Sequence, residues 1–326
     1  MITTVTLNPA LDKIYTISNF TISKLHRLGD FSRLFMDGEI DTVISSPGGK
    51  GINVAVFTQR MGIKTMAMGI IGGHAGRLLE DLVIREGITI NCIYGAGNTR
   101  TNLSIFDTKS NTLTVINEPG NPILEEDLDT FLKRFSLVVS SSQYIIISGS
   151  IPPGTDPDFY AKLINISNAK KVPVILNTLK TPLLKGIEAG PTIVYPDLRS
   201  DYTFLDHKTE TREDYFDLGQ IVLTKHKNIK IVIFSKMTNG QVFYITRQGQ
   251  YEVTFNNLKI ANLFGFGDQL IGGLTYALVN NMEIEDALKY ASAAGLTNAE
   301  SLSKFVTNPK IINNNINRVS IIKREG

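Results

Sequence analysis

The sequence predicts an α/β protein built on a mostly parallel sheet, and three observations carry that expectation. Strand and helix signals alternate over most of the 326 residues. Four short runs repeat one pattern: 144–147 is fully apolar, and 172–176, 192–195 and 229–234 are apolar but for Thr192 and Lys230, as strands buried on both faces are. Two β-rich stretches, near 10–45 and 95–117, break the alternation and suit a small separate sheet beside the main layer.

Taken in order, residues 2–7 alternate at period two and start the chain as a strand, and a polar, loop-rich stretch follows to about residue 47. A helical pattern through Ile52, Val54, Ala55 and Phe57 ends near Gly62, a strand covers 65–71, and a helix covers 76–86. The β-rich pieces at 99–106 and 112–116 are joined by Thr108-Lys109-Ser110-Asn111, a hairpin-like turn. The segment 122–138 is helical with an acidic start, which suits the positive end of a helix dipole. The apolar strands then alternate with helices at 156–168, 181–189 and 212–227, and two helices at 267–279 and 283–300 end the pattern.

Composition narrows the function. The length suits two average domains or one large α/β domain with an appendage. Hydrophobic residues at 42% and charged residues at 20% are ordinary for a globular chain with a sizeable core. Lys+Arg 33 against Asp+Glu 31 leaves a net charge of +2, which argues against a broad nucleic-acid footprint and leaves room for local basic clusters only. The single cysteine, Cys92, excludes an internal disulfide framework and a cysteine zinc cluster, and fits a reducing cytoplasm. No apolar run of ~18 residues predicts a membrane span, and the N-terminus lacks the basic and apolar regions of a secretory signal. The histidines, His26, His74, His207 and His226, are scattered and form no metal motif.

Chemistry concentrates at two glycine-rich loops. Gly48-Gly49-Lys50-Gly51-Ile52-Asn53 and Gly265-Phe266-Gly267-Asp268 each open a helix. A helix N-terminus offers unpaired N–H groups and partial positive charge to an anion, and glycine lets the ligand come close. Lys50 adds a mobile cation to the first loop, and Asp268 a carboxylate to the second. Neither loop is a Walker motif, since Gly51 follows Lys50, and neither is a dinucleotide fingerprint, since Leu270 takes the third glycine's place. A tight turn alone explains either loop; two loops, each with one charge, point to an anion site. A carboxylate beside such a site suits phosphoryl transfer, with Asp268 taking a proton from a substrate hydroxyl while amides stabilise the moving group.

The order of motifs resembles the PfkB (ribokinase-like) carbohydrate kinase family, and is most similar to its 1-phosphofructokinase and tagatose-6-phosphate kinase branch. The resemblance covers nearly the whole chain: Thr6-Leu7-Asn8-Pro9-Ala10-Leu11-Asp12, Pro47 to Ala55, Gly72-Gly73-His74-Ala75-Gly76, Thr99-Arg100-Thr101-Asn102, Asn117-Glu118-Pro119-Gly120, Ser148-Gly149-Ser150-Ile151-Pro152-Pro153-Gly154 and Asn262 to Asp268. It implies a ribokinase-like three-layer α/β/α sandwich over residues 1–326. The β insertions near 10–45 and 95–117 would form a lid that covers the sugar and makes a homodimer contact. It also implies ATP and Mg²⁺ as co-substrates. By matching position, Asp12, Gly49, Lys50, Asn53, Arg100, Asn102 and Ser150 resemble the substrate cradle. Asp268 resembles the catalytic base, and the amides of Gly265, Phe266 and Gly267 the anion hole. Ser235 and Gly240 fall in the nucleotide loop, and Asp197 at a position near the metal. A phosphorylated ketose is dianionic, so cations such as Lys50 and Arg100 suit its pocket.

The nucleotide side departs from the family pattern. Phe266 and Gln269 replace small residues, and the aromatic ring is expected to narrow the space above the phosphates. The usual Lys-Pro-Asn-x-x-Glu reads Tyr195-Pro196-Asp197-Leu198-Arg199-Ser200, with Asp201 next door. The first glycine of the nucleotide loop is lost in Ser235-Lys236-Met237-Thr238-Asn239-Gly240, and the usual Asp-Thr-Ser-Gly-Glu reads Asn177-Thr178-Leu179-Lys180-Thr181. The first reading is therefore an ATP-dependent kinase of a ketohexose monophosphate, fructose 1-phosphate or tagatose 6-phosphate. The alternative is a catalytically weak or silent phosphosugar-binding protein on the same fold. A ribose or nucleoside kinase would leave Lys50 and Arg100 without a purpose.

Overall fold

The structure, a computed structural model, describes residues 1–28, 42–198, 203–261, 264–301, 305 and 309–324. The chain opens with strand β1 (Ile2–Thr6) and passes into β2 (Ala10–Ile17) and β3 (Thr42–Gly48). Helix α1 (Lys50–Arg60), β4 (Thr65–Ile71), α2 (Gly73–Arg85) and β5 (Thr89–Tyr94) return it to the main layer. Then come β6 (Arg100–Asp107), β7 (Thr112–Asn117), α3 (Glu125–Val138), β8 (Tyr144–Ser148), α4 (Phe159–Ala169), β9 (Val174–Asn177), α5 (Lys180–Glu188) and β10 (Ile193–Val194). A two-strand excursion, β11 (Thr203–Phe204) and β12 (His207–Lys208), precedes α6 (Arg212–Lys225) and β13 (Ile231–Lys236). The hairpin β14 (Gln241–Thr246) and β15 (Gly249–Phe255), then α7 (Phe266–Val279), α8 (Ile284–Ala299), α9 (Pro309–Ile316) and β16 (Val319–Arg324), complete it.

The ten-stranded main sheet runs β16-β15-β14-β13-β10-β9-β8-β1-β4-β5. Pairs from β5 through β13 are parallel, and those from β13 to β16 are antiparallel. That edge, and β5, are absent from the expectation drawn from the sequence; the parallel core matches it. Side chains alternate across the sheet. Ile146, Ile175, Ile231 and Ile233 pack with Val54 and Phe57 of α1 and with Leu270, Leu274 and Leu288 of α7 and α8. Ile145, Ile147, Val232 and Phe234 pack with Phe131, Leu163, Leu183 and Phe216 of α3 to α6. Each fully buried isoleucine or phenylalanine contributes about 1.5–3 kcal/mol, so burying both faces makes this layer the rigid platform. Helices thus cover both faces of the sheet, the three-layer α/β/α arrangement expected from the sequence.

The smaller sheet, β3-β2-β6-β7, is the lid. It consists of the two insertions the sequence marks, and residues 29–41 of the first lie outside the described residues. Its strands are only half buried, with Val43, Ile44 and Ile116 exposed, so they do not read as apolar runs. Among the described residues, no helix is long and apolar enough to cross a membrane.

Candidate functional site

The chain leaves β1 for the β4–β5 side of the sheet and later returns to build β8 on β1's other flank. The strand order therefore reverses at β1. In open α/β sheets the crevice beyond the carboxyl ends of the strands at such a reversal is where ligands are held. Asn8 follows β1 and Ser150 follows β8, and Asn8 Nδ2 donates to Ser150 Oγ at 3.3 Å and to the Pro119 carbonyl at 2.9 Å.

Arg100, the first residue of β6, donates from Nε and Nη2 to the Asn8 carbonyl at 3.2 and 3.1 Å, and from Nη1 to the Glu118 carbonyl at 2.9 Å. The guanidinium thus braces the joint between lid and main layer while bringing its charge to the crevice. Deeper in the lid, Asp12 of β2 pairs with Asn102 of β6, and Asn102 Nδ2 donates to Asp12 Oδ1 at 2.8 Å.

Gly49 caps α1 with φ +108°, a conformation that favours glycine, and a Cβ there would meet Thr6 at 2.7 Å and Pro9 at 3.2 Å. The loop is thereby pressed against the β1–β2 turn, so Lys50 and Arg100 flank the same turn. One helical turn on, Asn53 is 7% exposed and donates from Nδ2 to Asp268 Oδ2 at 2.7 Å. An ionised carboxylate only accepts, so this bond points the amide N–H₂ at Asp268 and turns Asn53 Oδ1 elsewhere.

Asp268 stands in the first turn of α7, 4% exposed, behind the left-handed cap Gly265 at φ +89°. That placement puts a buried carboxylate in the field of a helix N-terminus, whose first amides have no partner within the helix. Gly267 supplies clearance: a Cβ there would sit 3.0 Å from the Tyr195 ring. The Phe266 ring does not narrow the crevice. It is 3% exposed, turned into the core against Phe255 at 6.3 Å between centroids, and against Gly295, where a Cβ would fall 2.7 Å away. An apolar ring gains more from that burial than from lying over a polar loop, so the expected obstruction is absent, and the residue 266 amide keeps its place.

The ends of β8, β9, β10 and β13 supply the opposite wall. Tyr195 Oη shares a 2.6 Å hydrogen bond with Ser235 Oγ, and Asn177 Nδ2 holds the Tyr195 carbonyl at 2.8 Å. Burial pushes the Tyr195 phenol well above its ordinary range, the Ser235 hydroxyl draws it back, and the nearby Asp197 and Asp268 carboxylates add to the rise. The Asp197 N–H donates to the Thr178 carbonyl at 2.9 Å, and its Oδ2 lies 3.2 Å from Lys50 Nζ.

The structure therefore brings together Gly49, Lys50, Asn53, Asp197, Ser235, Gly265, Phe266 (through its amide), Gly267 and Asp268. Asp12, Asn102, Arg100 and Ser150 form the neighbouring lid-side group. Gly240, at φ +65° between β13 and β14, makes its close approach to Leu258 rather than to the Ser235–Tyr195 pair. Arg199, Ser200, Asp201, Asn262 and Leu263 lie outside the described residues. Asn8, Asn177 and Thr178 are missing from the site residues read off the sequence. Each sits inside a quoted motif, and that position was the available signal; their role as struts shows only once separate strand ends are side by side.

Residues 36–310 match the pfkB family carbohydrate kinase description. A structure titled "Possible 1-phosphofructokinase", from Thermotoga maritima, is 28% identical over 100% of both chains, with a TM-score of 0.90. Phosphofructokinase-2 from Escherichia coli in complex with potassium is 21% identical, covering 97% of this chain and 98% of its own, with a TM-score of 0.86. The tetrameric inhibited form of the same enzyme has a TM-score of 0.84 at the same identity and coverage. A match over most of the length, on a fold that buries a carboxylate at a helix N-terminus beside a second glycine-capped helix, settles the family: this chain belongs to the pfkB family of carbohydrate kinases, phosphotransferases with an alcohol acceptor for which ATP is the implied donor.

Proposed function

We propose that this chain transfers the γ-phosphoryl group of ATP to a hydroxyl of a ketohexose monophosphate, fructose 1-phosphate or tagatose 6-phosphate, giving the bisphosphate. The observation that carries this is the 2.7 Å bond between Asn53 and the buried Asp268, which joins two glycine-capped helix N-termini over one carboxylate. Asp268 takes the hydroxyl proton. The amides of Gly265, Phe266 and Gly267 receive charge from the moving phosphoryl group. Asp12 and Asn102 hold sugar hydroxyls from the lid, with Gly49, Asn53 and Ser150 completing the cradle. Lys50 and Arg100 supply the positive charge a dianionic substrate requires. Ser235, through Tyr195, shapes the donor side, and Gly240 belongs to the turn beyond it. The name carried by the 28% identical neighbour agrees with the sugar class.

Mg²⁺ fits this site only as a companion of the nucleotide. Among the described residues no three His, Cys, Asp or Glu side chains form a metal cluster, and Asp197 faces the Lys50 ammonium. Mg²⁺ is commonly held by one or two carboxylates, waters and substrate phosphates, which the Asp197 position suits. When bound, it neutralises charge on the donor phosphates.

A second reading, a phosphosugar-binding protein with little turnover, draws on Tyr195-Pro196-Asp197, where a phenol and a carboxylate stand at the donor wall. A coupled kinase assay over a panel of ketose phosphates, free ribose and nucleosides, with ATP–Mg²⁺, separates the two. We expect turnover on fructose 1-phosphate or tagatose 6-phosphate and none on ribose or nucleosides. Phosphosugar binding by calorimetry without turnover replaces the first reading with the second.

We also propose a homodimer through the lid. Val43 and Ile116 are 47% and 55% exposed on one face of that small sheet, and Ile44 is 56% exposed on the other; the face with Val43 and Ile116 is the apolar surface a second copy would cover. Sedimentation velocity on the full chain is expected to show a dimer, and a monomer across the accessible concentration range would remove the idea.

A further inference from the structure

The Lys50–Asp197 ion pair ties together the two halves of the crevice. Lys50 comes from the acceptor side, at the first position of α1 behind Gly49. Asp197 comes from the donor side, just beyond β10. Their side chains are 23% and 11% exposed, and the N···O distance is 3.2 Å. A charge pair this far removed from water is not a surface accident. Taking away one member strands the other in a poorly solvated place.

Both members are fixed to the same scaffold. A Cβ on Gly149 would lie 3.8 Å from Lys50 Cβ, so the lysine stem runs along the β8 loop. The Gly149 carbonyl accepts from Thr178 Oγ1 at 2.8 Å, and the Thr178 carbonyl accepts the Asp197 N–H at 2.9 Å. The pair therefore closes a ring from α1 through the β8 and β9 loops to the β10 loop. Lys50 stands one helical turn before Asn53 on α1, and Asn53 Nδ2 donates to Asp268 Oδ2 at 2.7 Å, so the pair adjoins the transfer centre.

We propose that Asp197 is a positioning residue: it fixes the Lys50 ammonium at the seam between the acceptor and donor halves. An anion entering that seam competes with the carboxylate for the cation. This rests on the kinase reading above for its effect on turnover, but not for its effect on anion binding. A lysine side chain has four flexible carbons and a point charge, so its direction must be imposed from outside. Asp197 imposes it, and the competition it sets up weakens anion binding while improving alignment for transfer.

The test is a double-mutant cycle on the full-length protein with Asp197→Asn, Lys50→Met and the double variant. Asparagine keeps the shape and the main-chain bond to Thr178, and removes the charge. Inorganic phosphate is the binding probe, measured by calorimetry. Asp197→Asn is expected to tighten phosphate binding about tenfold, and by less than about twofold when Lys50 is already methionine. Under turnover with the best ketose phosphate, Asp197→Asn is expected to lower kcat by about tenfold while the KM for that ketose phosphate falls. A merely structural role would not produce that split. Independent effects of the two substitutions on phosphate binding, or an unchanged or weakened phosphate affinity in Asp197→Asn, would overturn the proposal. If no ketose phosphate is turned over, the kinase reading fails while the phosphate cycle still decides this one.

Discussion

Asp268→Ala is expected to lower turnover by about 10²- to 10⁴-fold while phosphosugar binding stays within a few-fold of the parent. The carboxylate is 4% exposed and bonded to Asn53 Nδ2, so it is held in one orientation at the α7 N-terminus. Asp12, Asn102, Arg100 and Ser150 do not depend on it for their own contacts, which run through the lid and Asn8. Alanine also strands the Asn53 amide in a buried place, so Asp268→Asn is the companion variant: it keeps the volume and removes the basicity. Both variants should lose rate in a coupled assay. Binding of fructose 1-phosphate or tagatose 6-phosphate, read by calorimetry, should persist. Unchanged turnover in Asp268→Asn removes this residue from the proton transfer.

The parallel core was legible because each of its strands is buried on both faces, so that β8, β9 and β13 are apolar runs. The antiparallel edge was not. β14 is only a four-residue apolar run, Val242–Ile245, between Gln241 and Thr246, β15 interleaves Gln250, Glu252 and Thr254 with its apolar residues, and their turn, Arg247-Gln248, carries no Asn-Gly or Asp-Gly signal. In α9, Asn313, Asn314 and Asn315 are poor helix formers, yet Ile312 is fully buried there, and packing outweighs propensity. For the site, the glycine loops and their charged residues announced themselves through spacing. What the sequence withheld was direction. Nothing in Gly265-Phe266-Gly267 says that the ring points inward, and nothing in Lys50 says that its partner follows β10. Both answers depend on strand ends brought side by side by the sheet.

Phe266→Ala puts a small residue at the position where the family pattern has one, and it is nevertheless expected to destabilise the protein by about 3–5 kcal/mol. Here the ring is 3% exposed and fills space between Phe255 and Gly295, and Gly295 has no side chain with which to fill the vacated volume. An alanine leaves a cavity at the root of α7, the helix that carries Asp268, and the surrounding helices relax only in part. The residue 266 amide survives the change. Denaturant unfolding should show a lower midpoint at an unchanged slope, as for a pure loss of native-state packing. Phosphate affinity at a temperature where the variant remains folded should stay near that of the parent. Gly295→Ala in the Phe266→Ala background is expected to recover part of the loss, because its methyl group enters the space the ring leaves. The same Gly295→Ala change in the parent is expected to destabilise, since its Cβ would meet the ring at 2.7 Å. That reversal of sign is the signature of a glycine and an aromatic sharing one volume. If Phe266→Ala costs less than about 1 kcal/mol, the ring is not the core element described here, and its side chain belongs to the crevice after all.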